Sequence, residues 1–254
     1  MRVLLAGGGT GGHINPALAI ASIIQKHDPS AEFLFVGTPN GMEARLVPQA
    51  GYRLETMHVA GFQRKLTWKN IRRNVKAAYY LATSQHRAKQ ILKNFQPDIA
   101  IGTGGYVAGP ILHAAAHMGI PCAIHEQNAF PGVTNKMLAK EVDHVMLTVE
   151  KALDYLHPDC AYTVTGLPVR GSITHTDRAA ARRQLGFDDS MCILSFGGSL
   201  GAGCINEAMA KVIRWHVQKG LKINHIHGYG GMGKDSFPAA MQAAGIPLKS
   251  DRLR

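Results

Sequence analysis

Three times in this chain a short apolar run breaks on a cluster of glycines and then opens into a stretch of helical character. The copies are residues 3–6 into Gly7-Gly8-Gly9-Thr10-Gly11-Gly12, residues 99–101 into Gly102-Thr103-Gly104-Gly105, and residues 193–196 into Gly197-Gly198-Ser199-Leu200-Gly201. Each reads as strand, tight bend, helix. Glycine lets the main chain pass close to a ligand, and the unpaired amides of the next helical turn, at the positive end of the helix dipole, attract anions. Three such bends predict a protein that holds phosphate groups at more than one place.

Further apolar runs of strand length stand at 33–36, 123–124, 145–148 and 162–164, with helix-like stretches at 16–26, 43–50, 70–95 and 109–118. Short strands alternating with helices predict an α/β fold with a doubly wound parallel sheet. Pro16 and Pro110 are expected in first helical turns, where proline is tolerated. The segment Thr165-Gly166-Leu167-Pro168-Val169-Arg170 reads as a linker, giving a first domain over 1–164 and a second over 165–254. The second holds only two convincing strands, 192–196 and 223–227, with helices at 178–185, 202–217 and 238–244. Two strands do not make a parallel sheet covered on both faces, so this domain is expected to be incomplete.

The 46% hydrophobic content is ample for a core. No apolar run reaches the ~18 residues that cross a bilayer, and the chain enters a strand pattern at once, so a cytoplasmic protein is expected. Cys122, Cys160, Cys192 and Cys204 are far apart, which suits reduced thiols better than a disulfide frame or a zinc site. The net charge of +11 points to an anionic partner. Its distribution is uneven: no acidic residue falls between Glu55 and Asp98, while Arg64, Lys65, Lys69, Arg72, Arg73, Lys76, Arg87, Lys89 and Lys93 do, interleaved with Trp68, Tyr79 and Tyr80. Segment 64–93 therefore fits either an anionic membrane surface or a solvated helix face. It carries no helix-turn-helix or ribonucleoprotein pattern, and no nucleic-acid partner is expected.

Gly7-x-Gly9-x-x-Gly12 matches the dinucleotide fingerprint, but the second strand ends in Gly37-Thr38 rather than in the acidic residue that would hold a ribose. His13 stands at the mouth of the first helix, where positive backbone dipoles favour a neutral imidazole able to take a proton from a hydroxyl. His125-Glu126-Gln127-Asn128 clusters polar side chains at the carboxyl end of a strand, the edge at which open α/β sheets bind ligands, with Asn135 and Lys136 opening the next helix. His113 and His117 stand four apart, but no glutamate intervenes, and no metal is assigned there. No Asp-x-Asp pair occurs, so a leaving diphosphate must be met by helix ends and cations, and no metal or other cofactor is expected.

Five stretches taken together carry a resemblance: 8–19 (Gly8-Gly9-Thr10-Gly11-Gly12-His13-Ile14-Asn15-Pro16-Ala17-Leu18-Ala19), 102–110, His125-Glu126-Gln127-Asn128-Ala129-Phe130-Pro131-Gly132, Gly166-Leu167-Pro168-Val169-Arg170, and Gly197-Gly198-Ser199-Leu200-Gly201-Ala202. In these motifs and in their order the chain resembles the MurG family of bacterial peptidoglycan N-acetylglucosaminyltransferases. The resemblance implies a GT-B fold of two Rossmann-like domains, the second incomplete here, since family members run on for roughly another hundred residues that carry uracil and ribose contacts. It implies an inverting transfer of N-acetylglucosamine from UDP-N-acetylglucosamine to the C4 hydroxyl of undecaprenyl-diphosphate-linked N-acetylmuramyl-pentapeptide, at the cytoplasmic face of the inner membrane. By the same resemblance His13 is the general base. Thr10, Gly11, Gly12, Asn128, Arg170 and Ser199 meet the donor, and Gly104, Gly105, Tyr106 and Glu126 lie on the acceptor side. Leu200 replaces the family's usual glutamine. The other reading of the same residues is a non-catalytic module binding prenyl diphosphate or anionic membrane.

Overall fold

The structure is a computed structural model that describes residues 1–59, 68–198 and 200–254, without the side chains of 68–79, 81, 82 and 172. Two compact units divide it, Met1–Thr174 and His175–Arg254. The expected linker at 165–170 therefore lies inside the first.

In the first unit seven parallel strands order as β3-β2-β1-β4-β5-β6-β7. They are β1 (Arg2–Gly7), β2 (Glu32–Gly37), β3 (Arg53–Thr56), β4 (Ile99–Gly104), β5 (Cys122–Glu126), β6 (His144–Leu147) and β7 (Tyr162–Val164), with helices α1 (Gly11–His27), α2 (Glu43–Gln49), α3 (Trp68–Phe95), α4 (Ala108–His117) and α5 (Val133–Leu138) between them. Strand residues alternate between two cores, as a period of two requires. Leu4, Ala6, Leu34 and Val36 pack with Ile91, Leu92, Ile111 and Leu112, while Val3, Leu5, Phe33 and Phe35 pack with Ile14, Ala17, Leu18 and Val47. Burial on both faces is what makes these strands read as unbroken apolar runs.

Three expectations need correction. Strand β3, Arg-Leu-Glu-Thr, was not foreseen: as the last strand of the sheet it needs little apolar surface, and its residues are half-buried or exposed. Strand β6 covers 144–147, not 145–148. Pro16 lies in the second turn of α1, because that helix opens at Gly11; only Pro110, third residue of α4, sits in a first turn.

The second unit has α7 (Arg178–Leu185), β8 (Cys192–Phe196), α8 (Gly203–Gln218), β9 (Asn224–Gly228) and α9 (Ser236–Ala243); the short α6 (Gly171–Thr174) closes the first unit. Strands β8 and β9 pair in parallel, and Leu253 bridges to His225 beside them. Leu194 and Phe196 on β8 are each 62% exposed, so one face of this small sheet is open.

Candidate active site at the switch point of the first sheet

Strand order reverses between β1 and β4, and ligands of open α/β sheets bind in the crevice beyond the carboxyl ends of such a pair. The first two glycine bends are what follow those two strands. They touch main chain to main chain. A Cβ on Gly105 (φ +82) would lie 2.4 Å from the Gly8 carbonyl oxygen, and Gly8 N–H donates to the Gly104 carbonyl at 3.4 Å. Only glycine permits that approach together with a left-handed backbone.

His13 stands in the angle between the bends. Its Nδ1 lies 2.9 Å from the Gly8 carbonyl oxygen, and a carbonyl can only accept, so Nδ1 carries the proton and Nε2 of the neutral ring keeps its lone pair. A Cβ on Gly104 (φ +107) would meet His13 Cδ2 at 2.8 Å and Nε2 at 3.0 Å, so the imidazole edge rests on the second bend. Thr10 caps α1 without a side-chain bond, and the first turn holds no acidic residue. Thr10 and Gly12 are exposed and Gly11 is buried. This helix start is open to an anion.

Glu43 is the residue sequence reasoning missed. Its carboxylate is fully buried and accepts from Gly9 N–H (3.0 Å), Thr38 N–H (2.8 Å) and Thr38 Oγ1 (2.6 Å). Burial alone would push this carboxyl up, but the hydrogen bonds from Thr38 and Gly9 outweigh it and hold it below the ordinary glutamate value. The dinucleotide fingerprint wants a carboxylate beside the end of β2 for a ribose. Here the carboxylate near that end is consumed by protein amides, and the Gly9 amide is consumed with it. The signal for it was Gly37-Thr38 followed by one glutamate in the first turn of α2.

The cluster after β5 sorts into supports and contacts. Glu126 is 1% exposed, and both carboxylate oxygens are engaged: Oε1 by the backbone and side-chain amides of Asn128 (2.9 and 3.0 Å), Oε2 by Asn135 Nδ2 (2.8 Å) and Gly132 N–H (3.2 Å). It shapes the turn, and Asn128, itself exposed, keeps Oδ1 for a hydroxyl. His125 is fully buried, and its Nε2–H donates to the Gly166 carbonyl at 3.0 Å while Gln127 Nε2 lies 3.1 Å from Nδ1. Burial lowers its pKa, against the pull of the Gly166 bond and the Glu126 charge. A neutral His125 thereby anchors the segment that leads to Arg170, which is exposed. Gln127 Nε2 also donates to the Thr103 carbonyl at 2.9 Å, tying this turn to the second bend. Tyr106 is 63% exposed at the start of that bend's helix.

Two expected features fall wholly or partly outside the described residues: Ser199, and residues 64–67 with the side chains of 68–79. Of the basic segment, the described end of α3 buries Ala88, Ile91 and Leu92 and exposes Lys89 and Lys93, while Arg87 pairs with Glu55 at 3.1 Å. In the second unit the third bend repeats the contact of the first two. A Cβ on Gly201 (φ +84) would meet the Tyr229 carbonyl oxygen at 2.2 Å, and one on Gly230 would meet Gly201 N at 2.3 Å.

A seven-stranded parallel sheet with paired glycine bends at its switch point is the scaffold of the GT-B glycosyltransferases. Residues 3–147 match the Glycosyltransferase family 28 N-terminal domain. The chain belongs to glycosyltransferase family 28. It is 45% identical over 217 residues to the UDP-N-acetylglucosamine–N-acetylmuramyl-(pentapeptide) pyrophosphoryl-undecaprenol N-acetylglucosamine transferase of Acetivibrio thermocellus, covering 85% of this chain and 58% of that protein. To the protein of the same name from Desulforamulus reducens it is 41% identical, covering 98% and 66%. The chain thus spans less than two thirds of the length of these curated relatives. Among solved structures it is similar to Acinetobacter baumannii MurG, with a TM-score of 0.62 and 29% identity over 96% of this chain and 65% of that one. A Neisseria meningitidis UDP-GlcNAc 2-epimerase bound to UDP-GlcNAc, with a TM-score of 0.58 and 13% identity over 99% and 74%, shares the fold alone.

Proposed function

We propose that the chain serves an inverting transfer of N-acetylglucosamine from UDP-N-acetylglucosamine to the C4 hydroxyl of undecaprenyl-diphosphate-linked N-acetylmuramyl-pentapeptide, a step of peptidoglycan synthesis. The observation that carries the proposal is the placing of His13 between two glycine bends at the switch point, with Nδ1 on the Gly8 carbonyl and Nε2 left outside that bond. The names of the relatives supply the substrates.

In this reading the acceptor hydroxyl gives its proton to His13 Nε2 as its oxygen attacks the anomeric carbon. The bond from that carbon to the diphosphate oxygen breaks, and UDP leaves with the electron pair. Attack opposite the leaving group inverts the centre. Open amides at the start of α1 and the guanidinium of Arg170 balance the growing phosphate charge, and Asn128 Oδ1 accepts from a sugar hydroxyl. Ser199 joins the donor side, and Gly104, Gly105 and Tyr106 the acceptor side; Glu126 acts through Asn128. We also propose that the chain works as a peripheral protein on the cytoplasmic leaflet, with segment 64–93 meeting anionic lipid. Exposed Phe130, Val133 and Met137, at 69%, 64% and 64%, support a greasy approach on the same unit.

The test is transfer of labelled N-acetylglucosamine to a lipid-linked muramyl-pentapeptide by this chain joined to the carboxyl-terminal remainder of the A. thermocellus relative. Product formation that His13→Ala slows by about a hundredfold or more supports the proposal. A folded hybrid that binds UDP-N-acetylglucosamine and makes no product overturns it.

A further inference from the structure

We propose that His113, His117 and Glu141 form a binding site for a divalent transition ion of the zinc class, at the end of the first unit away from the glycine bends. The two histidines lie one turn apart on α4, with ring centroids 4.1 Å apart. The glutamate that the sequence between them lacks arrives from the turn after α5: Glu141 Oε2 is 2.6 Å from His113 Nδ1. One donor atom from each of the three residues lies within 4.8 Å of the others. Among the described residues no other set of three histidine, cysteine or carboxylate groups comes together in this way.

The tautomers favour coordination. His117 Nδ1 is 2.9 Å from the His113 carbonyl oxygen, so it must donate there and its Nε2 keeps a lone pair. A metal-bound imidazole is usually oriented by such a bond from its other nitrogen. The short contact between His113 Nδ1 and Glu141 holds one proton between two groups that are both metal ligands when it leaves. An ion entering there takes the proton's place, and the proton moves to His113 Nε2. Zinc bonds of about 2.0–2.2 Å at tetrahedral angles set neighbouring donors about 3.4 Å apart, so His113 Nδ1 and Glu141 Oε2 must part from 2.6 Å, while the wider separations, within 4.8 Å, must narrow. The side chains of His113 and Glu141 are 41% and 31% exposed and His117 is exposed, so rotation of surface side chains can make both adjustments. Two imidazoles with one carboxylate suit zinc, nickel or copper; an all-oxygen ligand set would be needed for calcium or magnesium. The site would staple α4 to the turn before β6.

Position separates this site from the proposed chemistry. Helix α4 follows the second glycine bend, and His117 is its last residue, while Glu141 stands just before β6 opens at His144. Ion binding is therefore expected to act on stability rather than on transfer.

The test is isothermal titration of the 254-residue chain, free of any added histidine tag, with zinc chloride at neutral pH, alongside thermal melting. One equivalent is expected, with the melting temperature rising by about 5 °C at a hundredfold excess over Kd. His117→Ala and Glu141→Gln should each weaken binding at least about tenfold. His27→Ala, a substitution on an exposed helix end of the same unit, should leave binding unchanged. Circular dichroism of each variant checks that the fold is intact. Zinc binding weaker than about 1 mM, or equal affinity in His117→Ala and the parent, overturns the proposal.

Discussion

His13 Nδ1 sits 2.9 Å from the carbonyl oxygen of Gly8, so the bend that precedes the histidine also decides which of its two nitrogens is free. The Gly8 amide in turn reaches Gly104, and the imidazole rests on that same residue. One bend sets the tautomer and the other sets the position.

Removing the imidazole by His13→Ala should lower turnover of the hybrid transferase by about a hundredfold to ten-thousandfold, the range for a lost general base, while UDP-N-acetylglucosamine affinity changes little. Steady-state rates with calorimetric binding check this. A loss confined to KM would remove His13 from the proton transfer.

Gly104→Ala asks for two things the site does not allow. The left-handed backbone at φ +107 should cost about 1–3 kcal/mol in an L residue, and the added carbon would stand 2.8 Å from the His13 ring. Urea unfolding should therefore shift to lower midpoint, and turnover should fall by more than the stability loss explains. Gly119→Ala (φ +69), with nothing within 4 Å of its Cβ, is the comparison: stability lost, turnover kept.

Glu43→Ala leaves the Gly9 amide and both Thr38 donors without the carboxylate that now accepts from them. Unpaired buried donors cost about 1–3 kcal/mol each, less where water enters the space, so a total loss of about 3 kcal/mol is expected in urea unfolding. Glu43→Gln keeps one carbonyl acceptor and should lose less. Equal stability of the alanine variant and the parent would show that the clamp contributes nothing.

Acid should weaken both units well above the carboxylate range. Burial is the leading cause holding His125, His225 and His227 below their ordinary value of 6.5, with the charges of His216 and His227 adding to it at His225. A group with a depressed folded-state value binds fewer protons folded than unfolded, so stability is lost as pH falls from 6.5 toward that lower value. Glu43 and Asp188 are also depressed, Asp188 by its pairing with Arg252, and their contribution is lost only further down, as pH falls below their ordinary values of 4.5 and 3.8. Urea midpoints followed by circular dichroism should decline between about pH 7 and 5.5 and decline again below about pH 4.5. A flat profile above pH 5 would contradict the histidine assignment.

Much of the scaffold was legible because its strands are buried on both faces and so write themselves as apolar runs such as Leu4-Leu5-Ala6 and Phe33-Leu34-Phe35-Val36. The bends were legible because positive φ and close approach leave glycine as the residue that fits at Gly104 and Gly105. Strand β3 was not, since Arg53 and Glu55 at a sheet edge carry no such pattern. The Glu43 clamp was not either. It joins residues 34 positions apart, and no local spacing encodes that meeting. Glu126 shows the same limit from the other side: the sequence marks it as part of a site, while four hydrogen bonds show that it holds Asn128 and the turn in place. The start of α1 misled the placement of Pro16, because Gly11 and Gly12 do not read as helix until the chain is seen to coil there.

The abutment of Gly105 on Gly8 has a practical corollary for engineering. Gly105 has no room for a bulkier residue while Gly8 stays where it is, and a Cβ on Gly8 would itself stand 2.5 Å from the Glu43 carboxylate, so a library that randomises these two positions one at a time will sample mostly collisions. Transplanting this crevice into another scaffold requires moving both segments as one block, with the spacing of their two strands preserved.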